Sequence, residues 1–228
     1  MTVRLHFADP GEAADVAAFL ARLVHYDKAA AVRLQAAGET LAVFGRPPSF
    51  EVLAIRTARL AKPYEHGLDT SLDVTVSAGE LLESVGDAAD AVETAGTAVV
   101  PGAVTGPPWA GVLPPRGGWR PVAGLPAVAD VRSLVQGAVA EFRSRVEELP
   151  PERRVRAELD RVGREIWSRT VPGTELPVRA AHAAHSLGFL RGDALDLLAS
   201  GAWLRLRTPY GSVAVRRAGV GALSVTPT

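Results

Sequence analysis

Residues 101–126, PGAVTGPPWAGVLPPRGGWRPVAGLP, hold seven Pro and six Gly around Trp109 and Trp119, and no other stretch constrains the fold as strongly. Proline removes a backbone donor and fixes φ, and glycine weakens the interior of helices and strands, so this segment can be neither a long helix nor a central strand. A flexible tether would be built from Gly, Ser and charge, whereas this stretch carries two indoles, several Val and Leu, and almost no charge. Leaving both indoles in water would forfeit about 2 kcal/mol each. The segment is therefore expected to be an ordered arm lying across a sheet or helices, with a ligand for a polyproline-binding partner as the rival reading.

The hydrophobic period differs on the two sides of the arm. Before it, TVRLHFA alternates as a half-buried strand. Asp9, Pro10, Gly11 and Glu12 then supply a cap, a preset first turn and a carboxylate. They predict a helix over 10–26 that buries Ala14, Ala17, Ala18, Leu20, Ala21 and Val24. AAVRLQA and TLAVFG form a hairpin, and FEVLAIRTARLA adds a strand. After a polar loop over 62–71, LDVTVS reads as a strand and SAGELLESVGDAADAVETA as a helix.

After the arm, Val128, Val131, Leu134, Val135, Val139, Phe142 and Val146 predict an amphipathic helix over 127–149, ended by Pro150 and Pro151. A second helix over 152–169 places Val155, Leu159, Val162 and Ile166 on one face, and a third over 177–187 stops at Gly188. AWLRLR and SVAVRR flank TPYG as a hairpin, and DALDLLA is read as a strand in preference to a short helix.

With 228 residues, 47% of them apolar, the chain can fill a proper core. Having no Cys, it can contain no disulfide, thiol nucleophile or thiolate metal site. The start, MTVRLHFADP, lacks a signal-peptide pattern and no apolar run is long enough to span a membrane, so a cytoplasmic location is expected. Arg outnumbers Lys by 23 to 2, a bias that fits a GC-rich bacterial genome and weakens any argument from Arg alone. Residues 1–100 carry 8 basic and 14 acidic side chains and residues 101–228 carry 17 and 11. Attraction between the halves explains this asymmetry ahead of a nucleic-acid face.

Taking residues 1–96 with 193–228, the order strand, helix, three strands is written twice. The first copy is TVRLHFA, the helix from Pro10, AAVRLQA, TLAVFG and FEVLAIRTARLA; the second is LDVTVS, the helix from Ala78, LDLLA, AWLRLR and SVAVRR. This pattern resembles the repeat unit of bacterial sliding clamps, whose domains pair two such units about a pseudo-twofold axis. The resemblance implies an α+β fold: a clamp-like (βαβββ)x2 sheet domain made of 1–96 and 193–228, an arm over 97–126, and an inserted helical segment over 127–192. A DNA-encircling role is not expected with it. Helices facing phosphates must be basic, yet the helix from Ala78 carries Glu80, Glu83, Asp87, Asp90 and Glu93 and no cation.

Glu80, Glu83, Asp87 and Asp90 line one helix face and could receive a basic partner, although a solvated face is the simpler reading. Trp109 and Trp119 complete the candidate protein-binding set. The helices over 152–169 and 177–187 followed by the TPYG hairpin also spell a winged helix, with Arg179 and His182 approaching a groove and Arg205, Arg207 and Arg216 on the wing. His182 and His185 could share a metal only with a third ligand such as Glu175 or Asp193, and no metal or cofactor is expected. The sequence contains no G-x-S-x-G, G-x-x-x-x-G-K-[ST], G-x-G-x-x-G or H-E-x-x-H. The leading expectation is a non-enzymatic scaffold or regulatory protein that binds an unidentified protein partner or a second copy of itself. A DNA-binding regulator is second and an enzyme of unrecognised type third.

Overall fold

The computed structural model describes residues 3–48, 50–61, 72–90 and 97–217. The loop expected over 62–71 and the last turn of the second helix lie outside these residues. The elements run β1 (Arg4–His6), α1 (Pro10–Tyr26), β2 (Ala31–Ala37), β3 (Thr40–Gly45), β4 (Leu53–Arg59), β5 (Leu72–Ser77), α2 (Ala78–Asp90) and β6 (Thr97–Val99). After the arm come β7 (Arg120–Pro121), α3 (Val128–Glu148), α4 (Arg156–Trp167), α5 (Val178–Ser186), β8 (Asp196–Ser200), β9 (Trp203–Thr208) and β10 (Gly211–Arg216).

Eight strands form one sheet in the order β5-β2-β3-β4-β10-β9-β8-β7, and β1 pairs with β6 in a separate two-stranded sheet. The centre of the large sheet joins the two ends of the chain. β10 lies antiparallel to β4 with Ser212 opposite Ile55, Val213 opposite Ala54 and Ala214 opposite Leu53. On either side of this seam the strands run outward as mirror-ordered sets. β5 forms one edge beside β2, and β7, formed within the Pro/Gly-rich stretch, forms the other beside β8. A proline is tolerated in β7 because an edge strand keeps one side free of ladder bonds.

Period-two alternation assigns each strand residue to one of two faces. Val32, Leu34, Ala54, Leu204, Leu206, Val213 and Val215 point to the helices and join Phe19, Leu23, Leu81, Val131, Val135 and Leu187 in the main core. α1 packs on α2 over the first half of the sheet, α5 covers β9 and β10 in the second half, α3 packs on α5, and α4 packs outside on α3 and α5. Layers of this kind, with helices gathered on one face of an antiparallel sheet, define an α+β fold.

Local chemistry explains the helix ends. Asp9 caps α1 by accepting the Glu12 N–H at 3.0 Å, with Pro10 in the first turn. α5 closes with Gly188 at φ +71°, where the Phe189 N–H reaches the Ala184 carbonyl at 2.8 Å. The buried stripe of α1 corrects the sequence expectation. Ala13, Val16, Phe19, Leu20 and Leu23 are buried, while Ala14, Ala18 and Ala21 are exposed. Two stripes compete on this Ala-rich helix, and the one carrying Phe19 and Leu23 removes more apolar area from water. Val155, expected on an apolar face, precedes α4 and is 52% exposed.

Candidate functional site

The sheet face away from the helices is covered by the arm. Trp109 and Leu113 pack there on Phe44, Ile55 and Ala214, with Ala42 and Trp203 alongside. The arm is tied down by polar contacts at several points. The Val104 N–H donates to the Thr75 carbonyl at 2.9 Å, Arg33 donates to the Ala110 carbonyl at 2.6 Å, and the Ser200 hydroxyl donates to the Gly117 carbonyl at 3.2 Å. At its far end Gly124 and Gly173, both with positive φ, pack backbone to backbone.

Two cavities adjoin on this face and share Arg46 and Trp109. One, of about 460 Å³, runs from Leu23 and Asp27 past Ser77 to Val104 and Pro107. The other, of about 280 Å³, continues past Glu51 and Val112 to Trp203 and Arg216. Val104 and Val112, two of the most exposed large apolar residues, stand on its rim. Arg216 stacks over the Trp203 ring at 5.3 Å from its centroid, and Arg46 has no hydrogen bond or ion pair among the described residues. Glu51, at φ +52°, holds the one non-glycine left-handed backbone among the described residues and lines the same trough.

The other sequence candidates fall elsewhere. Glu80 and Glu83 are exposed on α2 and pair with no cation among the described residues. Asp87 and Asp90 lie on the same helix, with side chains outside the described residues. The acids of α1 are engaged: Asp9 and Glu12 with Arg59, and Asp15 with the buried Arg56.

A winged helix is not formed. Five of the nine residues of α5 are buried beneath the sheet, so it cannot be a presented recognition helix, and the β9–β10 hairpin is paired at the centre of the sheet. Arg179 and His182 stand on the helix side. Arg205, Arg207 and Arg216 alternate with Leu204, Leu206 and Val215, and so point to the arm side. Arg207 is paired with Asp196 at 2.8 Å. His182 stacks on Trp167 at 4.5 Å and meets the edge of Phe50 at 4.9 Å. Burial, and to a smaller degree the charge of His185, pushes its pKa down to about 4. His185 is exposed, and Glu175 faces Arg217 instead. Among the described residues no three His, Cys, Asp or Glu side chains gather to hold a metal ion, and no helix is long and apolar enough to cross a membrane.

Several Arg residues on and beside α3 and α4 are paired with carboxylates, while Arg143 and Arg164 are exposed with no ion pair among the described residues. Glu141 takes Arg169 and Arg145, Glu165 takes Arg145, and Glu158 takes Arg153 and Arg161. Hydrogen bonds from these guanidiniums hold the Glu141 and Glu158 carboxyls below the usual carboxylate range. Sequence reading missed Arg33 and Asp73 on the arm face, whose signal was their off-phase positions in β2 and β5, and it placed Arg205 on a wing and not beneath the arm.

Residues 1–111 match a family model described as a domain of unknown function (DUF8010), and residues 114–220 match a second domain of unknown function (DUF8185). The junction falls within the arm. No curated protein matches the chain. Among solved structures, the DNA polymerase sliding clamp from Caulobacter crescentus is 13% identical, with a TM-score of 0.50 over 99% of this chain and 67% of the clamp chain. The sliding clamp from Pseudomonas aeruginosa with ligand is 13% identical, with a TM-score of 0.47 over 100% of this chain and 68% of that one. The arrangement of helices on one side of a continuous sheet, together with the first of these likenesses, makes this a sliding-clamp-like α+β fold.

Proposed function

We propose that the chain is a protein-binding scaffold that holds an extended segment of a partner in the trough around Trp109. The observation that carries this reading is the pair of adjoining cavities that meet at Trp109 and Arg46, rimmed by exposed Val104 and Val112. A trough with aromatic walls and a few polar groups has the composition of a binding-energy centre. Glu80 and Glu83, which pair with no cation among the described residues and are continued in sequence by Asp87 and Asp90, would add a negative field that speeds the approach of a basic partner. Trp119 supports the arm through its indole N–H on the Pro115 carbonyl at 3.0 Å.

The solved clamps whose fold the chain shares are named for DNA polymerase, which makes DNA the natural competitor. Duplex binding without sequence preference draws its affinity from unpaired cations. The helix layer here offers acids on α2 and, on α3 and α4, arginines of which Arg145, Arg156 and Arg161 are paired, leaving Arg143 and Arg164 as its exposed unpaired cations among the described residues.

The test compares full-length wild type with Trp109→Ala and with Glu80→Lys/Glu83→Lys in quantitative affinity capture, alongside fluorescence anisotropy of a labelled duplex at low salt. A partner held by wild type and lost with Trp109→Ala supports the proposal. Saturable duplex binding that weakens steeply with salt, with no Trp109-dependent partner, overturns it.

A further inference from the structure

A separate cavity on the arm face shares none of its residues with the Trp109 trough. Its volume is about 250 Å³, its floor is Ala42, Phe44 and Ile55, and its walls include Gln35, Arg116 and Arg205. The charge within it is one-sided: two guanidiniums line it and no carboxylate does.

Arg205 is held in place. Its Nε donates to the Ser212 hydroxyl at 2.8 Å, and Ser212 is 2% exposed. The guanidinium lies 5.7 Å from the centroid of Trp119, whose indole is itself fixed to the arm. The two terminal nitrogens of Arg205 have no hydrogen bond or ion pair among the described residues. Burial first, and the neighbouring Arg207 second, push its pKa below the ordinary guanidinium value, as happens where no anion answers a partly buried cation. Arg116 likewise has no hydrogen bond or ion pair among the described residues. Its charge reaches Asp73, but both oxygens of that carboxylate are taken, one by Arg33 at 2.7 Å and the other by Arg33 and Gln35 at 3.0 and 3.2 Å.

A planar fork of N–H donors pre-set above an apolar floor matches a carboxylate attached to an apolar body. Fixing the fork in advance lowers the entropy lost on binding. The volume lies near the lower limit of ligand pockets, roughly 300 Å³, so it suits one ring or a short chain. We propose that this cavity binds a small amphiphilic carboxylate, its apolar body on Phe44 and Ile55 and its oxygens between Arg205 and Arg116.

The full chain is titrated with phenylacetate, phenylacetamide and acetate by calorimetry, and by NMR following the Trp119 indole N–H. Phenylacetate is expected to bind one site about tenfold or more tighter than either the amide, which lacks the charge, or acetate, which lacks the body. Arg205→Gln should weaken it by about tenfold or more and the exposed Arg116→Gln by roughly threefold. Should Arg205→Gln fail to fold, the amide comparison and Arg116→Gln carry the same test on folded protein. Equal affinity for acid and amide, or no saturable phenylacetate signal at Trp119 in the wild type, overturns the proposal.

Discussion

The two faces of the eight-stranded sheet are built from the same strands and do different work. The helix-side face is a continuous apolar layer in which Phe19, Leu20, Leu81, Leu187 and Leu206 are almost wholly withdrawn from water. The arm-side face has a thin apolar centre of Phe44, Ile55 and Ala214. Around it stand arginines, the half-buried Trp109, Trp119 and Trp203, and three cavities among the described residues. A helix can bury a wide stripe, whereas an arm rich in Pro and Gly touches the sheet only at isolated side chains. Stability is concentrated on the first face and unsatisfied chemistry on the second.

That contrast can be broken by comparing variants on the two sides. Phe19→Ala, which empties a fully buried site stacked on Phe189 at 5.8 Å, should cost about 3–5 kcal/mol in chemical denaturation. Gly124→Ala comes next, at about 2–3 kcal/mol, because a Cβ there meets the Gly173 carbonyl and φ is +94°. Titration of His182 follows. With a folded pKa near 4 against an ordinary 6.5, the folded chain binds fewer protons than the unfolded one between those values. Stability is therefore full above about pH 6.5 and falls towards pH 4, by on the order of 2 kcal/mol after allowance for partial exposure. His182→Phe should flatten this dependence in pH-resolved melts. Trp109→Ala, half-buried on the arm face, should cost about 1–2 kcal/mol while abolishing partner capture. Arg169→Ala, which removes an exposed partner of Glu141, should leave the melting midpoint unchanged at physiological salt. A Trp109→Ala loss as large as that of Phe19→Ala would erase the distinction between the faces.

Much of the helix-side architecture is legible in the sequence, because caps and periodicity are local. The Asp9 cap, the strands LDVTVS and TLAVFG, and the hairpin around TPYG all form where the pattern places them. The burial of α1 is less legible, since alanines supply a second weakly apolar stripe and only packing chooses between the two. The arm face is the least legible. Trp119 meets Arg205, and Arg33 meets Asp73, only through strand register and the path of the arm. Nothing in the neighbouring residues marks those pairs. The winged-helix reading fails for a related reason: helical spacing identifies α5, but not that its apolar side meets β9 and β10.

Both faces exist because β4 and β10 join distant ends of the chain into one layer. Native-state amide hydrogen exchange across a denaturant series measures that seam directly. The Ala54 and Val213 amides should exchange only through global unfolding, with one common free energy and denaturant slope. Exchange of β8–β10 through a separate opening of lower free energy, with β2–β4 still protected, would contradict this expectation.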